Sequence, residues 1–466
     1  MTDMSKGKSR RKLWLAILGV FTSCAVGLAY FTLDIDRQQA TIAGGGFKID
    51  FGTLPYPDHT YAYVGKELGW FAEAGIDLTI KEMKVDQIIP WLKNNTVQVA
   101  STPPGILISA WDSASDLTSF VFGNLYTGYA VMAPNERVFR SYADYVRDFR
   151  RENETVGDIE KIKAFNLTIS QLRGKRVAVP PEDAVRPFID GLIKASELDK
   201  NDLRMVIIDD AQSVAAMVNR DVDFQVGGAP SRVSLDARGF KSIITSSDFL
   251  EIQNILTRKS GDAEAAREST GVIQNGWATA VEIFDGREPR FNGSYPEVFN
   301  YPEALLRMAC VNYRIMKALG ARDKKAVDIH IKALSGLTKQ SYTERQVNLF
   351  YAELNKFTPF EAQRDWFTSQ GSSYYFEKVN GSIINFWRNR EGHFRGEAPE
   401  VRDVIKADKI YNELLRLKTY VESHISDLKS GSDTADAAKT ITVLQELIDK
   451  QNFVDAYLVA KGIKRS

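Results

Sequence analysis

Residues 51–80 read FGTLPYPDHTYAYVGKELGWFAEAGIDLTI, and the order of residue types along this stretch decides the fold. Residues 47–51 (FKIDF) alternate apolar and polar, the period of a strand with one face buried. Leu54-Pro55-Tyr56-Pro57 reads as a loop, because two prolines in four residues cannot continue a ladder. Asp58 or Thr60 is placed to cap a helix through Tyr61, Val64 and Leu68, with Gly69 near its end. Residues 77–81 then alternate again. A strand, a helix and a second strand in so few residues form a crossover unit, the connection that joins parallel strands.

The same alternation continues outward. Asp86 opens a helix through Ile88, Ile89 and Leu92, and residues 97–100 form a short strand. Ser101-Thr102-Pro103-Pro104-Gly105 leads into an apolar helix (ILISAW), where a first-turn proline loses no hydrogen bond. The series restarts with a strand at 176–179. A helix with Val185, Phe188, Ile189, Leu192 and Ile193 on one face follows. Strands at 205–208, 223–226 and 242–245 then alternate with helices at 211–218 and 231–238. This predicts two α/β units in series on parallel sheets. Residues 135–170 are polar and charge-rich and read as an inserted helical excursion rather than core. From Tyr301 onward, apolar residues recur at three- and four-residue spacing, the mark of packed helices.

The chain has 466 residues, 44% hydrophobic and 26% charged, enough for two or three packed units. Lys+Arg and Asp+Glu are both 60, so the basic excess that a general nucleic-acid binder needs is missing. The two cysteines, Cys24 and Cys310, build neither a disulfide framework nor a metal site, and His59, His330, His393 and His424 lack ligand spacing. No cofactor is expected. Five basic residues between Lys6 and Lys12 precede an apolar run at 13–33. That run is long enough to span a hydrocarbon core of about 30 Å, with the basic flank on the cytoplasmic side. Residues 1–46 therefore read as basic tail, hydrophobic transmembrane anchor and linker. Cleavage at Gly27-Leu28-Ala29 and lipidation at Cys24 (FTSC) stand as alternatives, and all three place the rest of the chain outside the cytoplasm.

Collinear motifs give these elements a family likeness. Gly69-Trp70-Phe71, Gly75-Ile76-Asp77-Leu78, Val97-Gln98-Val99-Ala100, residues 172–179 (LRGKRVAV), Arg220-Asp221-Val222-Asp223, Gly228-Ala229-Pro230 and Asn275-Gly276-Trp277-Ala278-Thr279 follow in order. The chain thereby resembles periplasmic solute-binding proteins of the nitrate, sulfonate, taurine and thiamine-precursor type over residues 47–279. The resemblance implies a type II periplasmic-binding-protein-like, two-lobed α/β clamp with a helical C-terminal extension. Lobe 1 is expected at 47–132 plus about 246–335, lobe 2 at 133–245 with the insertion at 135–170, and the extension at 336–466.

Ligands of such sheets sit beyond the carboxyl ends of strands, where loops and helix N-termini converge. The candidate ligand-binding residues are Thr53, Tyr56, His59, Ser101 and Thr102 in the first lobe and Pro180, Glu182, Asp183, Gly228 and Ala229 in the second. Asn124 and Tyr126 flank one crossing, and Asn275 and Trp277 the other. Hydroxyls and backbone amides suit an oxyanion, whereas Tyr and Trp suit a flat ring. Glu182 and Asp183 favour a heteroaromatic or amine-bearing ligand. No nucleophile elbow, phosphate loop or zinc-protease string is present. Expected partners are a small molecule, the permease of an ABC-type importer and the membrane. The other readings are a membrane-anchored sensor or scaffold that works through the helical tail, and a pyrimidine-forming enzyme on the same fold. The Cys-rich motif of such enzymes is absent.

Overall fold

A computed structural model describes residues 46–153, 155–180, 185–260, 271–295, 297–390, 392–431 and 434–463. The expected anchor at 13–33 lies outside these residues. Among the described residues no helix is long and apolar enough to cross a membrane.

Two mixed sheets organise the chain. The first contains β1 (Phe47–Thr53), β2 (Ile76–Glu82), β3 (Val99–Thr102), β4 (Leu117–Tyr126), β10 (Ile273–Ala280) and β11 (Asn355–Phe357), in the order β11-β4-β10-β3-β1-β2. The second contains β5 (Ala130–Ala133), β6 (Arg176–Val179), β7 (Arg204–Ile207), β8 (Phe224–Gly227) and β9 (Lys241–Thr245), in the order β7-β6-β8-β5-β9. Within each, three strands are parallel, as the crossover units require: β1 with β2 and β3, and β6 with β7 and β8. The expectation of purely parallel sheets is corrected. β10 runs antiparallel between β3 and β4, and β5 antiparallel between β8 and β9. Each of these strands arrives from the other lobe, so each sheet is closed by its neighbour's chain.

The motif at 69–78 has a physical basis. Gly69 and Gly75 both sit at φ 74°, the left-handed region open to glycine, and turn the chain out of the helix Ala62–Glu67 and into β2. Phe71 between them reaches the buried ring of Trp277 (centroids 6.3 Å). Phe51 meets that ring edge-on at 5.1 Å, and Tyr61 stacks on it at 5.9 Å. Four rings from β1, two helices and β10 thus lock the first lobe.

Several stretches depart from the sequence reading. β4 is buried along its whole length, so its run LTSFVFGNLY carries no alternation. β5, placed with lobe 1 by sequence, lies in the second sheet. The helix Ser246–Ser260, likewise expected in lobe 1, buries Phe249, Ile252 and Ile255 in the second core. The excursion at 135–170 forms helices Tyr142–Asn153 and Asp158–Ser170, and the second of these buries Ala164, Phe165 and Ile169 in that core. The C-terminal region supplies β11 at the edge of the first sheet. Its helices Ala407–Gly431, Ala435–Asp449 and Phe453–Ala460 bury Leu414, Leu444 and Phe453 in the same core as Phe51. A buried ion group reinforces the junction: Arg307 bonds Glu303 at 2.7 Å and Asp455 at 2.8 Å.

Gly276 marks the tightest approach in the first sheet, since a Cβ there would stand 1.9 Å from the Val121 carbonyl oxygen, beside a register shift. Gly276→Ala is expected to destabilise the protein by about 2–3 kcal/mol through overpacking. Gly336→Ala, within the helix Lys324–Thr338 and with nothing within 4 Å of its Cβ, is expected to stabilise by up to about 1 kcal/mol. Paired urea melts check both, and equal shifts would refute the steric account.

Candidate functional site

A cavity of about 320 Å³ opens where the carboxyl ends of strands from the two sheets face each other. The loop after β1 contributes Leu54, Tyr56, Asp58 and His59, and the β3 loop and its helix contribute Pro103, Gly105 and Ile106. From the second lobe come Gly228, Ala229 and Pro230, directly after β8, and Pro187 in the helix Arg186–Ala195. The crossings add Tyr126 and Tyr129 on one side and Ile273 and Asn275 on the other. Ile383 and Trp387, on the helix Phe376–Arg388, close the remaining side.

The polar chemistry is concentrated at Asp58. Asn275 donates to its carboxylate from Nδ2 at 2.5 Å, and His59 Nε2 stands 3.4 Å away. The other ring nitrogen of His59, Nδ1, lies 2.8 Å from Ser101 Oγ. Burial pushes the His59 imidazole below its ordinary 6.5, with Asp58 opposing. The neutral tautomer that suits both neighbours carries its proton on Nε2 toward Asp58 and accepts from the Ser101 hydroxyl. A carboxylate, an imidazole and a hydroxyl are thus in line, but Ser101 is fully buried and does not line the cavity. The hydroxyl supports the ring and is not presented to a substrate. Among the described lining residues Asp58 brings a carboxylate, and neither Lys nor Arg is present. A ring-rich wall with one anionic point suits a flat apolar molecule, neutral or cationic.

Six of the residues picked from sequence line the cavity: Tyr56, His59, Tyr126, Gly228, Ala229 and Asn275. Others stand behind it. Thr53 donates to the His59 carbonyl at 2.9 Å and shapes the loop, and Ser101 orients the imidazole. The Thr102 hydroxyl turns to the Pro103 carbonyl. Two choices lie away from the cavity. Asn124 is buried in the sheet and donates to Asn355 at 2.8 Å, because β4 continues past the point where a crossing was expected. Trp277 is fully buried among Phe51, Tyr61 and Phe71, since it stands two residues further along β10, opposite Ser101 inside the sheet and not at its cavity end. Pro180 is not among the lining residues, and Glu182 and Asp183 lie outside the described residues. Sequence reading left out Asp58 as a binding group, treating it as a helix cap. In the structure Tyr61 caps the helix without a side-chain bond. Trp387 and Ile383 were not singled out from the sequence, where this region reads only as mostly helical.

Comparison with known proteins fits this geometry. The NMT1/THI5-like family model matches residues 56–145 and 166–256, which hold the loops on both sides of the cavity. A periplasmic sulfonate-binding protein of an ABC transporter from Methylobacillus flagellatus superposes with a TM-score of 0.51 at 13% identity, covering 80% of this chain and 96% of its own. The chain has the substrate-binding-protein fold. The periplasmic nitrate-binding protein of Synechocystis PCC 6803 gives the same TM-score of 0.51 at 11% identity, covering 79% of this chain and 88% of its own. A sequence search of curated proteins found no match. The likeness to the NMT1/THI5-like family and to these binding proteins is therefore carried by the paired α/β lobes, and the substrate-binding-protein fold extends well beyond the matched stretches.

Two buried imidazoles near the loop after β1 set the response to acid. Burial lowers His330 to about 4, although the Pro57 carbonyl favours its proton, and His59 is lowered as well. Both groups bind protons more weakly folded than unfolded, so the unfolded chain gains protons as pH falls from 6.5 toward 4 and stability drops through that window. The His330 contribution amounts to about 3 kcal/mol when complete. Urea melts at pH 6.5, 5.5 and 4.5 should show this loss, with a shallower slope in His330→Gln; parallel slopes would contradict it.

Proposed function

We propose that this chain is the extracytoplasmic solute-binding component of an ABC-type import system. It captures a small organic molecule between two lobes and presents it to a permease on the outer face of a bacterial inner membrane. The apolar segment at 13–33 serves as the tether or export signal of this reading. The solute is flat, largely apolar and neutral or cationic. The observation that supports it is the cavity wall: Tyr56, Tyr126, Tyr129 and Trp387 offer ring faces and edges, and Asp58 faces them with a carboxylate that no Lys or Arg among the described lining residues neutralises. An oxyanion such as nitrate or a sulfonate would meet Asp58 without a compensating cation, at a cost in desolvation and repulsion.

Lobes that enclose a ligand gain affinity from contacts present only in the closed arrangement, and a permease can read that arrangement. Asn275 and Gly228 stand at the two sides of this closure. A Cβ at Gly228 would lie 2.6 Å from the Tyr126 hydroxyl, so Gly228→Ala pushes that ring into ligand space.

Thermal melts with benzylamine and with benzenesulfonate, backed by calorimetry, test the ligand class. Benzylamine is expected to raise the melting temperature by mass action and benzenesulfonate to leave it unchanged. Asp58→Asn should weaken benzylamine by about 10- to 100-fold, the worth of a charge-assisted hydrogen bond of about 1.5–3 kcal/mol. Gly228→Ala should weaken it without lowering the melting temperature of the free protein by more than a few degrees. A response to the sulfonate alone would reverse the assignment of charge.

A further inference from the structure

The chain between Arg345 and Arg390 passes repeatedly from one lobe to the other. At its start, Arg345 forms a two-pronged pair with Asp236 of the second lobe, at 3.0 and 2.9 Å. Leu349, Phe350 and Leu354 are buried in the second core. The chain then enters the first lobe as β11, and Phe357, Phe360, Trp366 and Phe367 are buried in the first core. Ser373 reaches back to Asn254 of the second lobe at 2.9 Å. Helix Phe376–Arg388 packs on the first lobe, where Asn380 donates to Gln274 at 3.1 Å. Beyond it, Arg390 pairs with Asp190 on the second-lobe helix that holds Pro187, at 3.1 Å.

The hinge itself is held by the same segment. Thr127, between β4 and β5, donates its backbone N–H to the Leu354 carbonyl at 2.9 Å and its hydroxyl to the Glu353 carbonyl at 3.0 Å. Arg232 of the second lobe, whose side chain is 3% exposed, donates to the Gly128 carbonyl at 3.2 Å and pairs with Glu353 at 2.6 Å. A hinge that opens must swing Thr127 and Gly128, and here both are bonded to groups that belong to, or are paired with, the C-terminal chain.

We infer that residues 345–390 are a strap that fixes the spacing of the two lobes and completes the binding cavity with Ile383 and Trp387. These two residues lie outside the stretches matched by the family model. Trp387 is held from behind: His393 stacks on it at 4.1 Å, and the Arg390 guanidinium lies 4.9 Å from its ring while bound to Asp190. The ion pair that joins the lobes therefore also seats the wall against which a ligand rests. The strap follows from ties that need no ligand; the role of the wall in selection rests on the solute-binding reading.

A ligand-free measurement decides the strap. Spin labels on Glu67→Cys and Lys175→Cys, exposed positions one on each lobe, report interlobe distance by pulsed EPR in full-length protein carrying Cys24→Ser. One narrow distribution is expected with the strap intact. Arg345→Ala with Arg390→Ala is expected to add a second, displaced population. A broad distribution with the strap intact, or an unchanged one in the folded double variant, overturns the proposal. Should that variant fail to fold, Asp236→Asn with Asp190→Asn cuts the same pairs more gently and is read the same way. For the wall, Trp387→Ala is expected to raise the affinity for 1-naphthylmethylamine relative to benzylamine at least tenfold; an unchanged ratio removes Trp387 from the site. If neither amine binds any form, the aromatic-amine reading falls, while the distance measurement still decides the strap.

Discussion

The antiparallel passage of β10 between β3 and β4 is the constraint on which the remainder of the molecule depends. Three consecutive residues divide the work. Asn275 faces the cavity and holds the Asp58 carboxylate, Gly276 lets the backbone close on Val121, and Trp277 anchors the ring cluster of the core. Strand alternation turns the first and third of these to the same side, so what separates them is depth: Asn275 stands beyond the pairing with β3, which begins at Gly276 and Thr102, and Trp277 lies opposite Ser101 inside the sheet. A register slip by one residue would turn both to the opposite side of the sheet, taking the amide from Asp58 and the indole from its ring cluster.

The same economy governs the charge. Asp58 is nearly buried, yet its neighbours are an amide donor and an imidazole kept neutral by burial. The carboxyl group of the site is therefore not tied up by a lysine or arginine among the described residues that line it. The buried group of Arg307 with Glu303 and Asp455 does the opposite: its guanidinium is held between two carboxylates inside the core, where the group fixes the seating of a C-terminal helix.

Much of this was legible in the sequence because it is local. The alternation at 47–51 and 77–81, the glycines at 69 and 75 and the restart at 176–179 each follow from backbone periodicity or from a conformation that favours glycine. That the loop residues Tyr56, His59, Gly228 and Ala229 line a cavity was legible too, because loops converge at the carboxyl ends of the strands in such sheets. β4 was not, since a strand buried on both faces has no alternation to read. Nor was the difference between Asn275 and Trp277, which requires the register of β10 against β3. Trp387 and Ile383 were out of reach for a further reason. Their helix shows ordinary amphipathic spacing, and only its docking beside the helix Pro104–Ser109, hundreds of residues away in sequence, turns part of its inner face into a cavity wall.

The strand order has a consequence for how the molecule comes to be. A chain made from its N-terminus produces β1 to β4 early, but β3 and β4 have no partner between them until residues 273–280 exist, and the outer edge of β4 stays open until 355–357. The second sheet, whose five strands all lie between 130 and 245, faces no such delay. The half that begins first is thus finished last, after long loop closures of which that between Tyr126 and Asn355 is the widest, and such non-local pairing is slow. On the export proposed above, a first half that stays unpaired this long would keep the polypeptide able to thread through a membrane.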